Sequence, residues 1–414
     1  MASTDKPDST GPDELTAAFG KQLSLSSRSV HADDYINNHQ AVAPPMHVST
    51  TFRYSRNPDD LKQWENHNPL APYDSHIYSR DSAPNTTRFE AILTSLLNGP
   101  CLTYSSGLSA FHAMMVYLNP KRVAIGGGYH GCHGVLAILT KLNGLVKLDL
   151  EDPSSLSQLQ KGDVIHVETP LNPTGEARNL QYYRELASEK GCYLTVDATF
   201  APPPLLDPFK FGVDMIMHSG TKYFGGHSDM LAGVLAVRPD KPDWVEGLKL
   251  ERLHLGSVMG SLEGWLGVRS LRTLELRVTR QADSAQKLVD WLSSPENELV
   301  KESVEQVLHA SLQPEAKDEN SWLRKQMPNG FGPVFSFMMK SEDMAKRLPS
   351  KLHLFHHATS LGGVESLIEW RAITDRSVDK RLLRVSVGVE AWEDLRDDLL
   401  KGFQALKDEL KKKQ

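Results

Sequence analysis

The stretch Tyr193-Leu-Thr-Val-Asp197 is a short apolar run that ends in a carboxylate, and a similar run, Met215-Ile-Met-His218, ends just before Lys222. Both runs have the length and the nearly continuous apolar character of strands that are buried on both faces. Three other runs share this character: Arg122–Gly126, Val164–Glu168 and Gly233–Val237. We therefore predict a sheet that contains these five strands.

Helical patterns separate the predicted strands. Apolar residues recur three or four positions apart in Thr86–Leu97, Gly107–Leu118 and Leu180–Lys190, which is the spacing of one helix face. Strands that alternate with helices predict an α/β fold with a mainly parallel sheet in a large central domain. After about Gln281 the pattern is looser and predicts a smaller α+β C-terminal domain. In such sheets ligands bind beyond the carboxyl ends of the strands, so candidate site residues are sought there.

The composition argues against several classes of protein. The chain has 414 residues, of which 40% are hydrophobic and 24% charged, and its net charge is −6. This charge indicates no basic face for nucleic acid, and no run approaches the roughly 18 apolar residues of a membrane span. Met1–Pro12 lacks the apolar core of a signal peptide. Cys101, Cys132 and Cys192 are widely spaced, which favours a reduced, cytoplasmic compartment over a disulfide framework.

Lys222 lies in the turn His218-Ser-Gly-Thr-Lys222-Tyr, directly after a predicted strand. An unpaired ammonium is costly to bury at such a position, whereas a lysine that forms an imine avoids this cost. Ser219 and Thr221 would then offer hydroxyl groups to a neighbouring phosphate. The alternative is an ordinary surface lysine in a glycine-rich turn.

Asp197 closes an earlier strand and is a candidate partner for a protonated pyridine nitrogen. Taken alone, Asp197 is more typical of a turn or a helix cap. The segment Ser106-Gly107-Leu108 opens an amphipathic helix, and the free amides of a helix N-terminus suit a phosphate. Serine and glycine also cap many helices that bind nothing.

Tyr129 ends the glycine-rich stretch Gly126–Gly128, where an aromatic ring could stack on a cofactor ring. Asn172 follows the strand Val164–Glu168 and could hydrogen-bond a ring hydroxyl. The alternative for both is a loop whose composition only shapes its turns. Cysteine and histidine side chains near Tyr129 lack a second ligand cluster, so we predict no metal site.

The motifs resemble, in their order along the chain, the Cys/Met-metabolism family of pyridoxal-5′-phosphate (PLP) enzymes, the trans-sulfuration group within fold type I. This family includes cystathionine γ-synthase, cystathionine γ- and β-lyases, methionine γ-lyase and O-acetylhomoserine sulfhydrylase. The resemblance extends from about Ser29 to Leu400. The segments that carry it are Ser49–Phe52, Tyr78–Arg80, Ser105–Leu108, Glu168–Pro173, Val196–Asp197, Thr199–Phe200, His218–Asp229, Arg269–Leu274, Ser360–Leu367 and Leu383–Glu390.

The resemblance implies a role for each candidate residue. Lys222 would hold PLP as a Schiff base and share proton transfer with Tyr129, which stacks on the ring. Asp197 would pair with the pyridinium nitrogen. The remaining implied cofactor contacts are made by Tyr78, Arg80, Ser106, Gly107, Leu108, Asn172, Thr199, Ser219 and Thr221. Arg384 would bind the substrate carboxylate with both ends of its guanidinium, helped by Ser360.

The resemblance also implies the organisation of the chain. Residues 1–20 are a predicted disordered tail, and residues 21–80 a predicted arm that contacts a neighbouring subunit. Residues 81–280 form the predicted PLP-binding domain and residues 281–414 the C-terminal domain. Because Tyr78 and Arg80 would reach the neighbour's phosphate, we expect an active homodimer that pairs into tetramers.

Departures from the family lie where the far end of the substrate would bind. Thr359 stands where many cystathionine-handling members have glutamate, and Glu369–Asp375 replaces a proline-containing stretch. We therefore predict γ-substitution on an activated homoserine, O-acetyl-L-homoserine, by a thiol or by a carbon nucleophile such as a β-keto acid enolate, as in some secondary-metabolism relatives. The alternatives are a lyase of the cystathionine or methionine type and a non-catalytic PLP-binding scaffold. Retention of Lys222, Asp197 and Arg384 argues against the scaffold.

Overall fold

The computed structural model describes residues 20–36, 41–61, 63, 76–294 and 296–412. Of the predicted N-terminal tail, only Gly20 lies within these residues. The strands are β1 (Cys101–Tyr104), β2 (Arg122–Ile125), β3 (Val146–Asp149), β4 (Val164–Glu168), β5 (Tyr193–Asp197), β6 (Met215–Ser219), β7 (Gly233–Val237), β8 (Val304–Leu308), β9 (Val334–Met339), β10 (His356–His357), β11 (Leu367–Trp370) and β12 (Leu382–Ser386).

The helices lie between and around these strands. They are α1 (Leu25–His31), α2 (Pro84–Leu97), α3 (Gly107–Leu118), α4 (His130–Asn143), α5 (Pro153–Leu156), α6 (Leu180–Lys190), α7 (Pro242–Leu255), α8 (Ser261–Leu271), α9 (Leu274–Ser293), α10 (Glu298–Ser303), α11 (Trp322–Gln326), α12 (Glu342–Arg347) and α13 (Trp392–Lys411). Among the described residues, none of the helices has both the length and the apolar character that crossing a membrane requires.

The chain divides into two compact units. The first comprises Met1–Asn119, Asp214–Gly225 and Asp229–Leu274, and the second comprises Pro120–Val213, Gly226–Ser228 and Glu275–Gln414. In the first unit β7 pairs antiparallel with both β1 and β6. The strands β6 and β7 are fully apolar in their centres and buried, and α3 and α7 pack against this part of the sheet.

Two helices of the first unit, α2 and α8, approach each other closely. A Cβ on Gly267 of α8 would lie 2.7 Å from the ring of Phe89, and one on Gly264 would lie 2.9 Å from the backbone of Asn85. Neither position has room for a side chain, so the two glycines allow this packing.

Asp33, just after α1, joins the N-terminal residues to the same unit. Its side chain is completely buried and accepts hydrogen bonds from Arg88 of α2 at 2.8 Å and from Arg272 at 2.8 Å. Burial of a charge is costly unless it is paired and hydrogen-bonded, and Asp33 meets both conditions.

The second unit contains a parallel run of strands in the order β5-β4-β2-β3. The helices α4, α5 and α6 connect or follow these strands. Glu168 at the end of β4 lies opposite Asp197 at the end of β5. Two side chains with carboxylates therefore meet at the carboxyl edge of the sheet, where the parallel topology predicts a site.

The C-terminal part of the second unit has its own sheet, in the order β10-β11-β12-β9-β8. Antiparallel pairing places Glu369 of β11 directly opposite Arg384 of β12. Leu399 and Phe403 of α13 are completely buried in a core that also contains Phe335 and Phe337 of β9. The amphipathic C-terminal helix thus packs on its own unit.

The predicted α/β class is confirmed, because parallel strands alternate with helices and a second, smaller sheet follows. The strands β4, β5 and β7 have the predicted bounds, whereas β2 ends one residue earlier and β6 one residue later. β7 runs antiparallel to both of its neighbours, β1 and β6, and this makes the sheet mixed. The predicted boundaries at residues 20, 80 and 280 stay a prediction.

Candidate functional site

The backbone around Lys222 is fixed by the connection between β6 and β7. The amide of Lys222 donates to the carbonyl of Ser219 at 3.2 Å. The hydroxyl of Thr221 accepts a hydrogen bond from the amide of Ala232 at 3.1 Å, and the amide of Thr221 donates to the carbonyl of Ala232 at 3.3 Å. Lys222 therefore follows a strand end, as predicted, in a turn that is held to the next strand.

The segment that opens α3 lies beside this turn. The hydroxyl of Ser106 accepts a hydrogen bond from the amide of Ser109 at 3.1 Å and caps the helix. A Cβ on Gly107 would lie 3.1 Å from the Cβ of Ser219. The first unit thus brings the strand end before Lys222 into contact with the N-terminus of a twelve-residue helix, as a phosphate site requires.

Tyr78 and Arg80 also belong to the first unit. Tyr78 forms an isolated bridge with Thr51, and its side chain is 45% exposed. The guanidinium carbon of Arg80 lies 5.5 Å from the centre of the Tyr78 ring. Both side chains are at the surface of this unit, and their predicted contact with a neighbouring subunit stays a prediction.

Asp197 in the second unit is buried at the carboxyl end of β5. One of its oxygens, Oδ1, accepts hydrogen bonds from the amide of Thr199 at 2.9 Å and from the hydroxyl of Thr199 at 2.5 Å. Thr199, a predicted cofactor contact, therefore orients the carboxylate that we predict to face the pyridine nitrogen.

Glu168 connects two predicted site loops. Its Oε2 accepts a hydrogen bond from the amide of Tyr129, and its Oε1 accepts one from the amide of Asn172, each at 2.7 Å. Burial, followed by the charge of Asp197, raises the pKa of the Glu168 carboxyl to about 8. A Cβ on Gly128 would lie 2.8 Å from the Glu168 Cδ, so the glycine before Tyr129 makes room for this carboxyl group.

Tyr129 precedes α4, where its ring lies 5.1 Å from that of His130. Burial is the main cause that raises the pKa of its phenol, and the nearby acidic groups Cys132, Asp197 and Glu168 add to it. The phenol therefore keeps its proton at neutral pH, as a proton donor must.

Arg384 is buried on β12, and its partners in the second unit include three groups. Its Nη1 donates to Oδ1 of Asn172 at 3.0 Å, and its Nη2 donates to the carbonyl oxygen of Ser360 at 3.0 Å. The third partner is the carboxylate of Glu369, 2.6 Å from Nη2. Ser360 thus contacts Arg384 through its backbone, at a positive φ of 85°, and the neighbouring Thr359 is exposed.

Glu168 and Glu369 contact candidate site residues, but the sequence motifs assigned no role to either carboxylate. Each is a carboxylate within or at the end of an apolar strand, which is the signal that could have identified them. Among the described residues, no group of three or more His, Cys, Asp or Glu side chains is arranged to hold a metal ion.

Each unit, taken by itself, carries donors that suit one part of PLP. In the first unit, the capped N-terminus of α3 and the serine packed against it can hold a phosphate, and Lys222 follows the same strand. In the second unit, a buried and oriented carboxylate, Asp197, can hold the proton of a pyridine nitrogen.

Comparison with known proteins gives one consistent result. A family model described as Cys/Met metabolism PLP-dependent enzyme matches residues 26–404. Cystathionine gamma-lyase of Saccharomyces cerevisiae is 33% identical over 92% of this chain and 97% of the relative. Cystathionine gamma-synthase of Escherichia coli is 31% identical over 93% of this chain and 98% of the relative. The crystal structure of the yeast cystathionine gamma-lyase superposes with a TM-score of 0.82 at 27% identity, covering 94% of this chain and 99% of that one.

Proposed function

Because the chain belongs to the family of Cys/Met metabolism PLP-dependent enzymes, we propose that it catalyses a γ-substitution on O-acetyl-L-homoserine. PLP is its cofactor, and its relatives are trans-sulfuration enzymes. The second reactant is a short thiol or the enolate of a β-keto acid, which replaces acetate at the γ carbon.

One observation carries this choice of second reactant. Thr359 is uncharged and exposed, and Glu369 is buried against Arg371 and Arg384. Neither residue offers a carboxylate for the distal ammonium group of cystathionine or for the amino group of cysteine. Ile373, which is 60% exposed, adds apolar surface to the same segment. A nucleophile without an amino group suits these surroundings better.

The residues of the chain have separate tasks in this reaction. Ser106, Gly107, Leu108, Ser219 and Thr221 would hold the cofactor phosphate. When bound, PLP supplies an electron sink for the charge that develops at the substrate carbons. Asp197, oriented by Thr199, would keep the ring nitrogen protonated.

Substrate orientation and proton transfer involve other side chains. Arg384 would bind the α-carboxylate with its planar guanidinium. The amine of Lys222 would remove and return protons at the substrate carbons, and the phenol of Tyr129 would act as a second proton carrier. Exclusion of water would keep the reaction from ending in release of an oxo acid. Tyr78 and Arg80 would complete the phosphate site of a neighbouring copy in a homodimer.

The test uses O-acetyl-L-homoserine with and without a panel of thiols and β-keto acids, with products identified by mass spectrometry. Alone, the substrate should release 2-oxobutanoate slowly. The correct nucleophile should divert the flux to an amino acid with an extended side chain, and Lys222→Ala should form neither product. Rapid 2-oxobutanoate release whatever is added would overturn the proposal.

Elimination is the second candidate, because cystathionine gamma-lyase of yeast is similar over nearly the whole chain. A lyase would cleave cystathionine efficiently without a second reactant. Cystathionine is therefore included in the same panel, and its efficient cleavage would favour the lyase.

A further inference from the structure

Arg371 shares the carboxylate of Glu369 with Arg384, the residue that we assign to the substrate carboxylate. It begins a short 3-10 turn, Arg371–Ile373, directly after β11. Its Nη1 donates to Oε2 of Glu369 at 3.0 Å. The same oxygen accepts a hydrogen bond from Nη2 of Arg384 at 2.6 Å. One carboxylate oxygen thus connects two guanidinium groups.

The surroundings hold this arrangement in place. The side chains of Glu369, Arg371 and Arg384 are each 4% exposed. The second oxygen of Glu369 accepts a hydrogen bond from the hydroxyl of Thr374 at 2.7 Å. The other end of the Arg371 guanidinium lies 3.5 Å from Oδ2 of Asp375. The four charged residues, here called the Glu369 cluster, are Glu369, Arg371, Asp375 and Arg384.

The charges of the Glu369 cluster are balanced, with two guanidinium groups and two carboxylates. In a buried site a neighbouring charge acts strongly, because the effective dielectric constant is low. Without Arg371, the cluster would carry a net negative charge next to the position of the substrate carboxylate. The negative charge of Glu369, no longer shared with Arg371, would then act on Arg384 and neutralise it.

We propose that Arg371 is a positioning residue that neutralises Glu369 and so leaves the charge of Arg384 available to the substrate carboxylate. This inference rests on the role assigned to Arg384 under the proposed function. It goes beyond that role, because Arg371 acts without touching the substrate. Among variants of the protein, the affinity for an amino acid should rise as the net charge of the Glu369 cluster becomes more positive.

The experiment measures binding of L-norvaline to the holoenzyme, followed by the change in cofactor absorbance. L-Norvaline has no γ-leaving group, so its binding does not depend on the substitution reaction. Arg371→Met makes the cluster negative and should weaken binding about tenfold or more. Glu369→Gln makes it positive and should bind as tightly as the unmodified protein or more tightly. The double variant restores neutrality and should bind within about threefold of the unmodified protein.

One control variant keeps the outcomes distinct. Arg384→Lys keeps the charge but loses the planar fork and should weaken binding. If it does not, the assigned role of Arg384 fails and the inference fails with it. If Arg384→Lys weakens binding but Arg371→Met does not, only the inference is overturned. Equal losses in Arg371→Met and Glu369→Gln would also overturn it, because geometry rather than charge would then control affinity.

Folding of the variants is checked by circular dichroism and by retention of the cofactor. If Arg371→Met does not fold, Arg371→Gln replaces it, since glutamine is neutral and still donates a hydrogen bond to Glu369. Weakened binding in Arg371→Gln that Glu369→Gln restores supports the proposal. Unchanged binding in Arg371→Gln overturns it.

Discussion

Replacing Gly233 by alanine would place a methyl group against the segment that opens α3. A Cβ on Gly233 would lie 2.6 Å from the carbonyl carbon of Ser106 and 2.9 Å from the Cβ of Ala110. Carbon atoms in favourable contact are about 3.5 Å apart or more. The strand and the helix start must therefore separate by about 1 Å.

Such a shift would lower both the unfolding free energy of the protein and its affinity for PLP. Forcing an extra methyl group into a packed site costs about 1–3 kcal/mol of unfolding free energy. The amides of Gly107 and Leu108 would also leave their positions around the phosphate, and a hydrogen bond to a charged group contributes about 1.5–3 kcal/mol. Loss of even one such bond weakens PLP binding about tenfold to a hundredfold.

The assay titrates the apoenzyme with PLP and follows the absorbance of the bound cofactor, with urea unfolding measured in parallel. Gly134→Ala is the matched control, because this helical glycine has open space around the position of a Cβ. It should bind PLP normally and gain about 0.5–1 kcal/mol in stability. A folded Gly233→Ala protein with unchanged PLP affinity would show that the start of α3 is not the phosphate site.

Three further predictions concern the cofactor, the pH dependence and the assembly. Borohydride should fix PLP onto the peptide that contains Lys222, and Lys222→Ala should keep its fold but lose turnover; an adduct on another lysine, found by peptide mass spectrometry, would contradict this. Because the pKa of Glu168 is raised to about 8, the native apoenzyme holds a proton that the unfolded chain releases at lower pH. Its unfolding free energy should therefore fall as the pH rises from 5 to 8, by at most about 1.4 kcal/mol per pH unit. Glu168→Gln, compared by urea unfolding across this range, should lack this component, and parallel curves for the two proteins would refute the assignment. Arg80→Ala and Lys222→Ala subunits refolded together should regain activity, whereas no recovery in demonstrably mixed dimers would mean that each subunit builds its site alone.

The parts of the fold that follow from the sequence are those with an unambiguous pattern. The strands β4 and β5 are continuous apolar runs, so even their ends are predicted. The sequence pattern does not predict the strand β3, because Lys147 and Asp149 flank its only buried residue, Leu148. The sequence pattern does not predict the antiparallel direction of β7 either, because an apolar run looks the same whether its strand is parallel or antiparallel to its neighbours.

The candidate site likewise has residues that the sequence predicts and contacts that it does not. Asp197 stands out because it ends an apolar strand, and Lys222 because it follows one. The hydrogen bonds that Glu168 accepts could not be predicted, because they depend on where the fold brings Tyr129, which lies 39 residues away. The cross-strand pair of Glu369 and Arg384 depends in turn on strand register, which is set by the buried face of the sheet and by the connection between the strands rather than by either residue.

The burial of Asp33 has a practical consequence for shortened versions of the protein. Arg88 and Arg272, which lie far apart along the chain, both donate to this carboxylate. Removing one partner of a buried ion pair costs about 3–5 kcal/mol, and deleting Asp33 would leave two guanidinium groups without their counter-ion. A gene trimmed for expression must therefore begin ahead of Asp33, so that this carboxylate is retained.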